Sequence, residues 1–303
     1  MSIENVTAVR GPDDRALEAE AEATAGGVWL RTFLRNRLAV VGLAVAIALL
    51  LFSFVGPLFY HTDQVHTRLS METLSPGTGR PLGTDSVGYD ELGRLMVGGQ
   101  TMLEVAFGAA LVAVVLGVLW GATAGYFGGL LDGFMMRVVD ALLAIPALLL
   151  VLLLTTILNP NIVMVIFVLG LISWLITARL VRGQVLVLRG LDFVQAARQF
   201  GERPWRIVTR HLVRNVIGLV VVQATFEVAN AILLFAALSF LGLGPPPPAA
   251  NWGGMLNDGL NYVFDGYWWL IYPAGICIVI TVVAFNLIGD AIRNSFDVRL
   301  RTK

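Results

Sequence analysis

Few side chains in this sequence are suited to covalent or metal chemistry, and their spacing argues against both. Lys303 is the only lysine, so a phosphate-cradling G-x-x-x-x-G-K-[ST] loop, which needs a lysine beside its glycines, does not occur. His61, His66 and His211 form no H-E-x-x-H pair, the spacing that sets two imidazoles around zinc on one helix face. Cys277 is the single cysteine and lies in an apolar run, which excludes a disulfide framework and a cysteine metal site. Asp140 and Asp290 are carboxylates near the ends of apolar stretches, the raw material of an intramembrane aspartic protease. Their surroundings, VVDALLAIP and NLIGDAIRN, place both at a membrane edge rather than together in its interior. Asp85 and Asp90 fall in PLGTDSVGYDELGRL, where Ser86 and Val87 interrupt the alternating oxygen ligands of a calcium loop. The expectation is a non-catalytic chain with no metal site and no cofactor of its own.

Two polar features remain. The first is residues 192–215, DFVQAARQFGERPWRIVTRHLVRN, too polar for lipid and too patterned for a linker. Ala196 and Ala197 offer a small-residue surface that a partner can approach closely, and Gly201 permits a break between two short helices. Arg189, Arg198, Arg203, Arg206, Arg210 and Arg214 give the segment its charge, which topology alone would explain. The second feature is Glu227 with Gln223 and Asn230, at i, i+4 and i+7 on one helix face. A carboxyl inside an apolar helix is costly and usually meets a cavity or a partner. This stripe is either pathway lining or a hydrogen-bonded contact between helices, and the pattern does not choose.

The elements that must carry these residues follow from hydropathy. Of 303 residues, 57% are hydrophobic and 14% charged, with zero formal net charge and a mean hydropathy of +0.77; soluble domains carry about 25% charge. A membrane-spanning helix needs about 20 apolar residues, and six stretches qualify: 38–59, 102–126, 138–158, 162–180, 216–241 and 268–290. The third and fourth are parted only by Asn159, Pro160 and Asn161, a tight turn. With the amino terminus inside, cytoplasmic segments hold five Arg or Lys in residues 1–37, Arg137, eight between Arg179 and Arg214 and four from Arg293 onward. Outside remain only Arg68, Arg80 and Arg94, so both termini are expected in the cytoplasm. The basic residues track membrane topology, not nucleic acid.

The expected organisation is a cytoplasmic tail (1–37), a first transmembrane helix (38–59), an external loop (60–101), a five-helix core (102–290) and a second cytoplasmic tail (291–303). Within the core lie a cytoplasmic loop over 181–215 and an external loop over 242–267. The acidic residues of 1–27 read as a flexible tail rather than a signal sequence. The first external loop reads as a packed turn followed by a short amphipathic helix. The second opens on the stiff run 245–248 of four prolines and then collects Trp252, Tyr262, Phe264, Tyr267, Trp268 and Trp269. These aromatics suit an interfacial belt, with a docking surface as the alternative.

Gln195-Ala196-Ala197, then Gly201, then His211-Leu212-Val213-Arg214-Asn215, resembles the E-A-A-x-x-x-G loop of ABC-importer permeases with the H-[IL]-L-P-N ending of the oligopeptide class. RNRLAVVGLAVA, PLGTDSVGYDELGRL, GYFGGLLDGFMMRVVDALLAIP, LSFLGLGPPPPAANWGGML and FNLIGDAIRNSFDVRLR extend the resemblance, in order, to the second (C-type) permease of dipeptide, oligopeptide and nickel importers. Gln195 stands where the family has glutamate, Arg214 where it has proline, Phe235 where many members have glutamate, and Val298 where D-P-R-L is common. The resemblance implies an all-α polytopic membrane protein of six transmembrane helices with a type I ABC-importer (MetI-like) permease fold in the bacterial inner membrane. It further implies an ATPase-coupling loop built on Asp192, Gln195, Ala196, Ala197, Gly201, Trp205, Arg206, His211 and Asn215, with Gln223, Glu227 and Asn230 as candidate pathway residues. Implied partners are a homologous second permease, two nucleotide-binding ATPase subunits that carry ATP and Mg²⁺, and an extracytoplasmic substrate-binding protein. Di- or oligopeptides are the default cargo, while nickel chelates, haem and glycosides are carried by other members.

Overall fold

A computed structural model describes residues 33–158 and 161–301. Most of the expected amino-terminal tail, and the turn residues Asn159 and Pro160, lie outside the described residues. Nine helices carry the architecture: α1 (Arg37–Phe54), α2 (Glu91–Phe127), α3 (Gly129–Leu143), α4 (Ala147–Ile157), α5 (Ile162–Leu188), α6 (Asp192–Gln199), α7 (Arg214–Phe240), α8 (Trp252–Gly259) and α9 (Tyr272–Arg301); shorter turns are named by range. No strand forms among the described residues, only the isolated bridges Gly77–Arg80 and Thr84–Asp90.

Polar residues set where helices begin. Asp90 accepts from the Gly93 amide at 2.8 Å, Asn161 from Met164 at 2.8 Å and Asn251 from Gly254 at 2.7 Å, each satisfying an amide that the first turn leaves open. Five helical stretches are long and apolar enough to cross a membrane, or six if α3 and α4 count as one. The span expected over 138–158 is therefore broken within its length. α3 and α4 meet at 83° around Pro146, which caps α4, because proline lacks an amide hydrogen and disfavours helix in the residue before it. The amphipathic helix expected before the second span is the first part of α2 itself. Residues 291–301, expected as a tail, continue α9.

Side-chain size is sorted in the sense a lipid environment favours. Phe107, Leu111, Val115 and Leu119 of α2, Val163, Phe167 and Leu171 of α5, and Ile276, Val279 and Val283 of α9 are exposed, whereas Ala106, Ala109, Ala113, Ala178 and Ala284 are buried. Small residues let backbones approach, and apolar bulk outside meets acyl chains. The broadest contact is α2 with α5, and Gly117, Gly121 and Gly125 lie along it one turn apart. A Cβ at Gly121 would stand 2.3 Å from the Ala178 carbonyl oxygen. Gly121→Ala is accordingly expected to destabilise the protein by about 1–3 kcal/mol through overpacking, read as a lower Tm in detergent. Gly133→Ala, inside α3 where an added Cβ meets nothing within 4 Å, is the control and should stabilise by about 0.4–1 kcal/mol.

α1 packs on α9 and α2, and α7 packs on α2, α5 and α9. α3 is fastened beneath by Trp120 Nε1 donating to the Met135 carbonyl at 3.2 Å. Arg182 grips Asp132 through Nε and Nη2 at 2.5 and 2.7 Å, and Arg179 meets Asp140 at 2.6 Å.

At the α8 end, the loop before α2 is packed as expected. Asp85 accepts from the Val87 and Tyr89 amides and pairs with Arg94 at 3.3 Å. Tyr60 donates to Asp90 at 2.9 Å; burial first, then this bond to a carboxylate, pushes its phenol up to about 12. The expected aromatic belt divides. Trp268 and Phe264 are exposed, but Trp252 is fully buried and Trp269 nearly so. Their indole N–H groups donate to the Leu95 carbonyl at 2.8 Å and the Thr84 carbonyl at 3.3 Å. A buried tryptophan needs such an acceptor, and the loop and the start of α2 supply one for each.

Candidate functional site

The loop expected over 181–215 is shorter than its polarity suggested. α5 continues to Leu188, and from Pro204 the chain is helical again, through a π-helical stretch Ile207–Val213 into α7. Helix extends into this polar region because its apolar residues share a face. Val194, Ile207 and Leu212 are fully buried and Val208 nearly so, against Ala122 and Tyr126 of α2, Val181 and Val185 of α5, and Val216 and Val220 of α7.

Gly201 has φ +71° and follows the last turn of α6. The Gly201 amide donates to the Arg198 carbonyl at 3.0 Å and the Glu202 amide to the Ala197 carbonyl at 3.1 Å, the pair of bonds that ends a helix on a left-handed residue. Pro204 then opens the next helix at a position where its missing amide costs nothing.

The candidate residues take distinct places. Asp192 is exposed in the first turn of α6, where a carboxylate suits the helix dipole. Gln195 is exposed and its amide donates to the Gly190 carbonyl at 2.9 Å. Ala196 and Ala197 are half-buried, and Ala197 packs inward on the apolar cluster. Trp205 and Arg206 are exposed, His211 is half-buried, and Asn215 is exposed and donates to the His211 carbonyl at 2.6 Å. Several arginines have defined partners beyond their topological sign. Arg189 donates to the Gly125 carbonyl at 2.9 Å, and the Arg198 guanidinium lies 4.6 Å over the Tyr126 ring. Arg206 pairs with Glu202 at 3.1 Å.

Pattern reading named Trp205 but missed Phe193, Phe200 and Glu202. Phe200 is 90% exposed at the loop tip, with Trp205 and Phe193 exposed nearby. Glu202 links Arg206 and His211. Large apolar residues in an otherwise polar loop were the available signal for the aromatics. The result is a hairpin, apolar beneath and seated on α2 and α5, that presents aromatic and charged groups outward.

The second candidate set gathers around Glu227. Glu227 is 2% exposed, at the meeting of α7 with α5. Its Oε1 accepts from Gln223 at 2.9 Å and from Thr177 of α5 at 3.4 Å, and Asn230 is a third hydrogen-bonding side chain on the same carboxyl. Asn230 is exposed. Within this chain the carboxyl makes a contact between α7 and α5, the ground for expecting a structural role. Glu227→Gln is expected to keep uptake within about twofold, whereas Glu227→Leu strands Gln223 and Thr177 and should cost about 1 kcal/mol. Proteoliposome uptake and detergent melting measure the two; an uptake loss in the glutamine variant with normal melting would restore the pathway reading. Among the described residues no three His, Cys, Asp or Glu side chains are grouped to hold a metal ion.

An all-helical chain with five or six candidate spans and a braced polar hairpin between two of them is, by class, a multi-pass membrane protein. Comparison with known proteins makes the class specific. Residues 91–302 match the family described as binding-protein-dependent transport system inner membrane component, and residues 26–76 match the N-terminal TM domain of oligopeptide transport permease C. The chain is 41% identical over 269 residues to the oligopeptide transport system permease protein OppC of Escherichia coli (strain K12), covering 88% of this chain and 89% of that one. It is 37% identical over 271 residues to the dipeptide transport system permease protein DppC of Bacillus subtilis (strain 168), covering 89% and 85%. With the DppC protein of Alkalihalophilus pseudofirmus it shares 32% identity over 305 residues, the full length of both. The chain belongs to the binding-protein-dependent transport system inner membrane component family. It is a multi-pass permease of the bacterial inner membrane.

Proposed function

We propose that this chain is one of two homologous permease subunits of an ATP-driven importer of di- or oligopeptides, and that its hairpin at residues 189–215 receives the motion of cytoplasmic ATPase subunits. Both termini and the hairpin face the cytoplasm, and the α8 end faces outward toward a substrate-binding protein. ATP and Mg²⁺ sit on the ATPase subunits, and this chain supplies half of the pathway and no hydrolytic chemistry. Alternating access follows from rigid-body rearrangement of the helices that the hairpin grips, α2 and α5.

The observation that carries this reading is the hairpin itself: apolar beneath, tied to α2 by Arg189 and Arg198, and bearing an exposed phenylalanine in a polar, arginine-rich segment. Peptide cargo is supported by the relatives, which are dipeptide and oligopeptide permeases by name. The test is purification of the tagged chain in mild detergent, followed by ligand screening on its cognate binding protein. A second permease and nucleotide-binding subunits should co-purify, and the binding protein should take up short peptides. A stable homo-oligomer that transports without any ATPase would overturn the proposal.

A further inference from the structure

Glu202 belongs to two elements at once. Its backbone amide closes the end of α6 by donating to the Ala197 carbonyl at 3.1 Å. Its side chain reaches forward to the next helix, where one carboxylate oxygen meets His211 Nε2 at 2.9 Å and the other meets Arg206 Nε at 3.1 Å. Arg206 is 61% exposed and His211 31%. Exposed pairs contribute little, so the His211 contact is the stronger of the two. The His211 ring also lies near Phe193 of α6, with centroids 6.5 Å apart. Around this contact the backbone departs from regular α-helix twice. Gly201 imposes no side-chain restraint on the turn, and Ile207–Val213 is π-helical, a geometry that recurs at functional positions in otherwise α-helical segments.

We propose that Glu202 is a positioning residue: by joining His211 to the end of α6, it fixes the angle between α6 and the long helix entering the membrane, so that the two move as one lever. The proposal rests on the coupling role given to this hairpin. A push on α6 then reaches α7 without being absorbed by flexing at Gly201 or in the π-helical turns. Phe200 and Trp205 meet the partner; Glu202 keeps the surface that carries them at a constant angle.

The test uses the full complex of both permeases, the ATPase subunits and the binding protein in proteoliposomes, with peptide uptake and ATP hydrolysis measured on the same vesicles. Glu202→Ala, His211→Phe and the double variant form a cycle; phenylalanine keeps a ring against Phe193 and deletes the nitrogen that Glu202 contacts. Each single variant should lower uptake per ATP hydrolysed by about fivefold or more, the lower end of typical coupling between sites. The double variant should lose no more than the larger single loss, because the two residues act through one contact. ATPase subunits should co-purify in native ratio throughout. Unchanged uptake per ATP in Glu202→Ala, losses that multiply in the double variant, or loss of the ATPase subunits would each overturn the proposal.

A second measurement stands apart from transport. Spin labels at Gln195 and Thr209, both exposed, in a Cys277→Ala background should give a narrow distance distribution that broadens in Glu202→Ala. An unchanged width would overturn the positioning role even where the variant complex assembles poorly. If the unsubstituted complex shows no ATP-dependent uptake, the functional reading fails, and the distance measurement still decides whether Glu202 fixes the angle.

Discussion

Phe200→Ala is expected to weaken retention of the ATPase subunits by about ten- to hundredfold and to reduce peptide uptake accordingly, while leaving the melting of the isolated chain within about 0.5 kcal/mol of native. The expectation starts from exposure. Phe200 is 90% exposed in the chain, so its removal opens no cavity and breaks no internal packing. Burying a phenylalanine on association contributes about 1.5–3 kcal/mol, and aromatic residues near the centre of an interface commonly cost 2 kcal/mol or more when truncated to alanine, roughly. Phe193 and Trp205 are also exposed on this hairpin and can help keep water from the contact. Titrating ATPase subunits against the detergent-purified permease pair, with uptake measured in parallel, checks both halves of the prediction. Native affinity in the variant would move the docking surface away from the hairpin tip.

The spans were legible because long apolar runs have one stable solution in lipid: a helix that satisfies its own backbone. What hydropathy could not resolve was geometry within a run that is apolar throughout. Pro146 sits in LLAIPALLL, and the 83° bend there leaves the mean hydropathy of the run untouched. The Gly117, Gly121 and Gly125 spacing was present in the sequence as a small-residue stripe, but nothing in it names α5 as the partner whose backbone fits against it. Trp252 shows a related limit. Its residue type suits an interfacial belt, and only the acceptor at the Leu95 carbonyl makes full burial affordable.

In the hairpin, alanine and glycine spacing located the turn, since a left-handed residue ending a helix has a local signature. Glu202 had none. Its importance comes from His211, nine residues later, being carried back by the following helix to within 2.9 Å, and that return depends on the buried face of Val194, Ile207, Val208 and Leu212. For Glu227 the sequence supplied the helix face but not the neighbour. Thr177, fifty residues away, is what turns an isolated carboxyl into a contact between helices.

Gly201→Val should abolish ATP-coupled uptake, a loss of about tenfold or more, while Gly201→Asn retains most of it. The distinction separates backbone conformation from side-chain volume. A Cβ added at Gly201 meets nothing within 4 Å, but φ is +71°. An ordinary L-residue pays about 1–2 kcal/mol there, a β-branched residue is an outlier in that region, and asparagine is among the residues that enter it most readily. Valine therefore relieves its strain by opening the turn. That gives up the bonds from the Gly201 amide to Arg198 and from the Glu202 amide to Ala197, and α6 loses its fixed relation to the helix beginning at Pro204. Gly201 itself touches no membrane helix, so membrane insertion and assembly with the second permease should persist in both variants. Uptake and ATP hydrolysis in proteoliposomes, alongside the yield of inserted chain, provide the comparison. Equal loss in the valine and asparagine variants would mean that side-chain bulk against the partner, not the left-handed turn, sets the coupling.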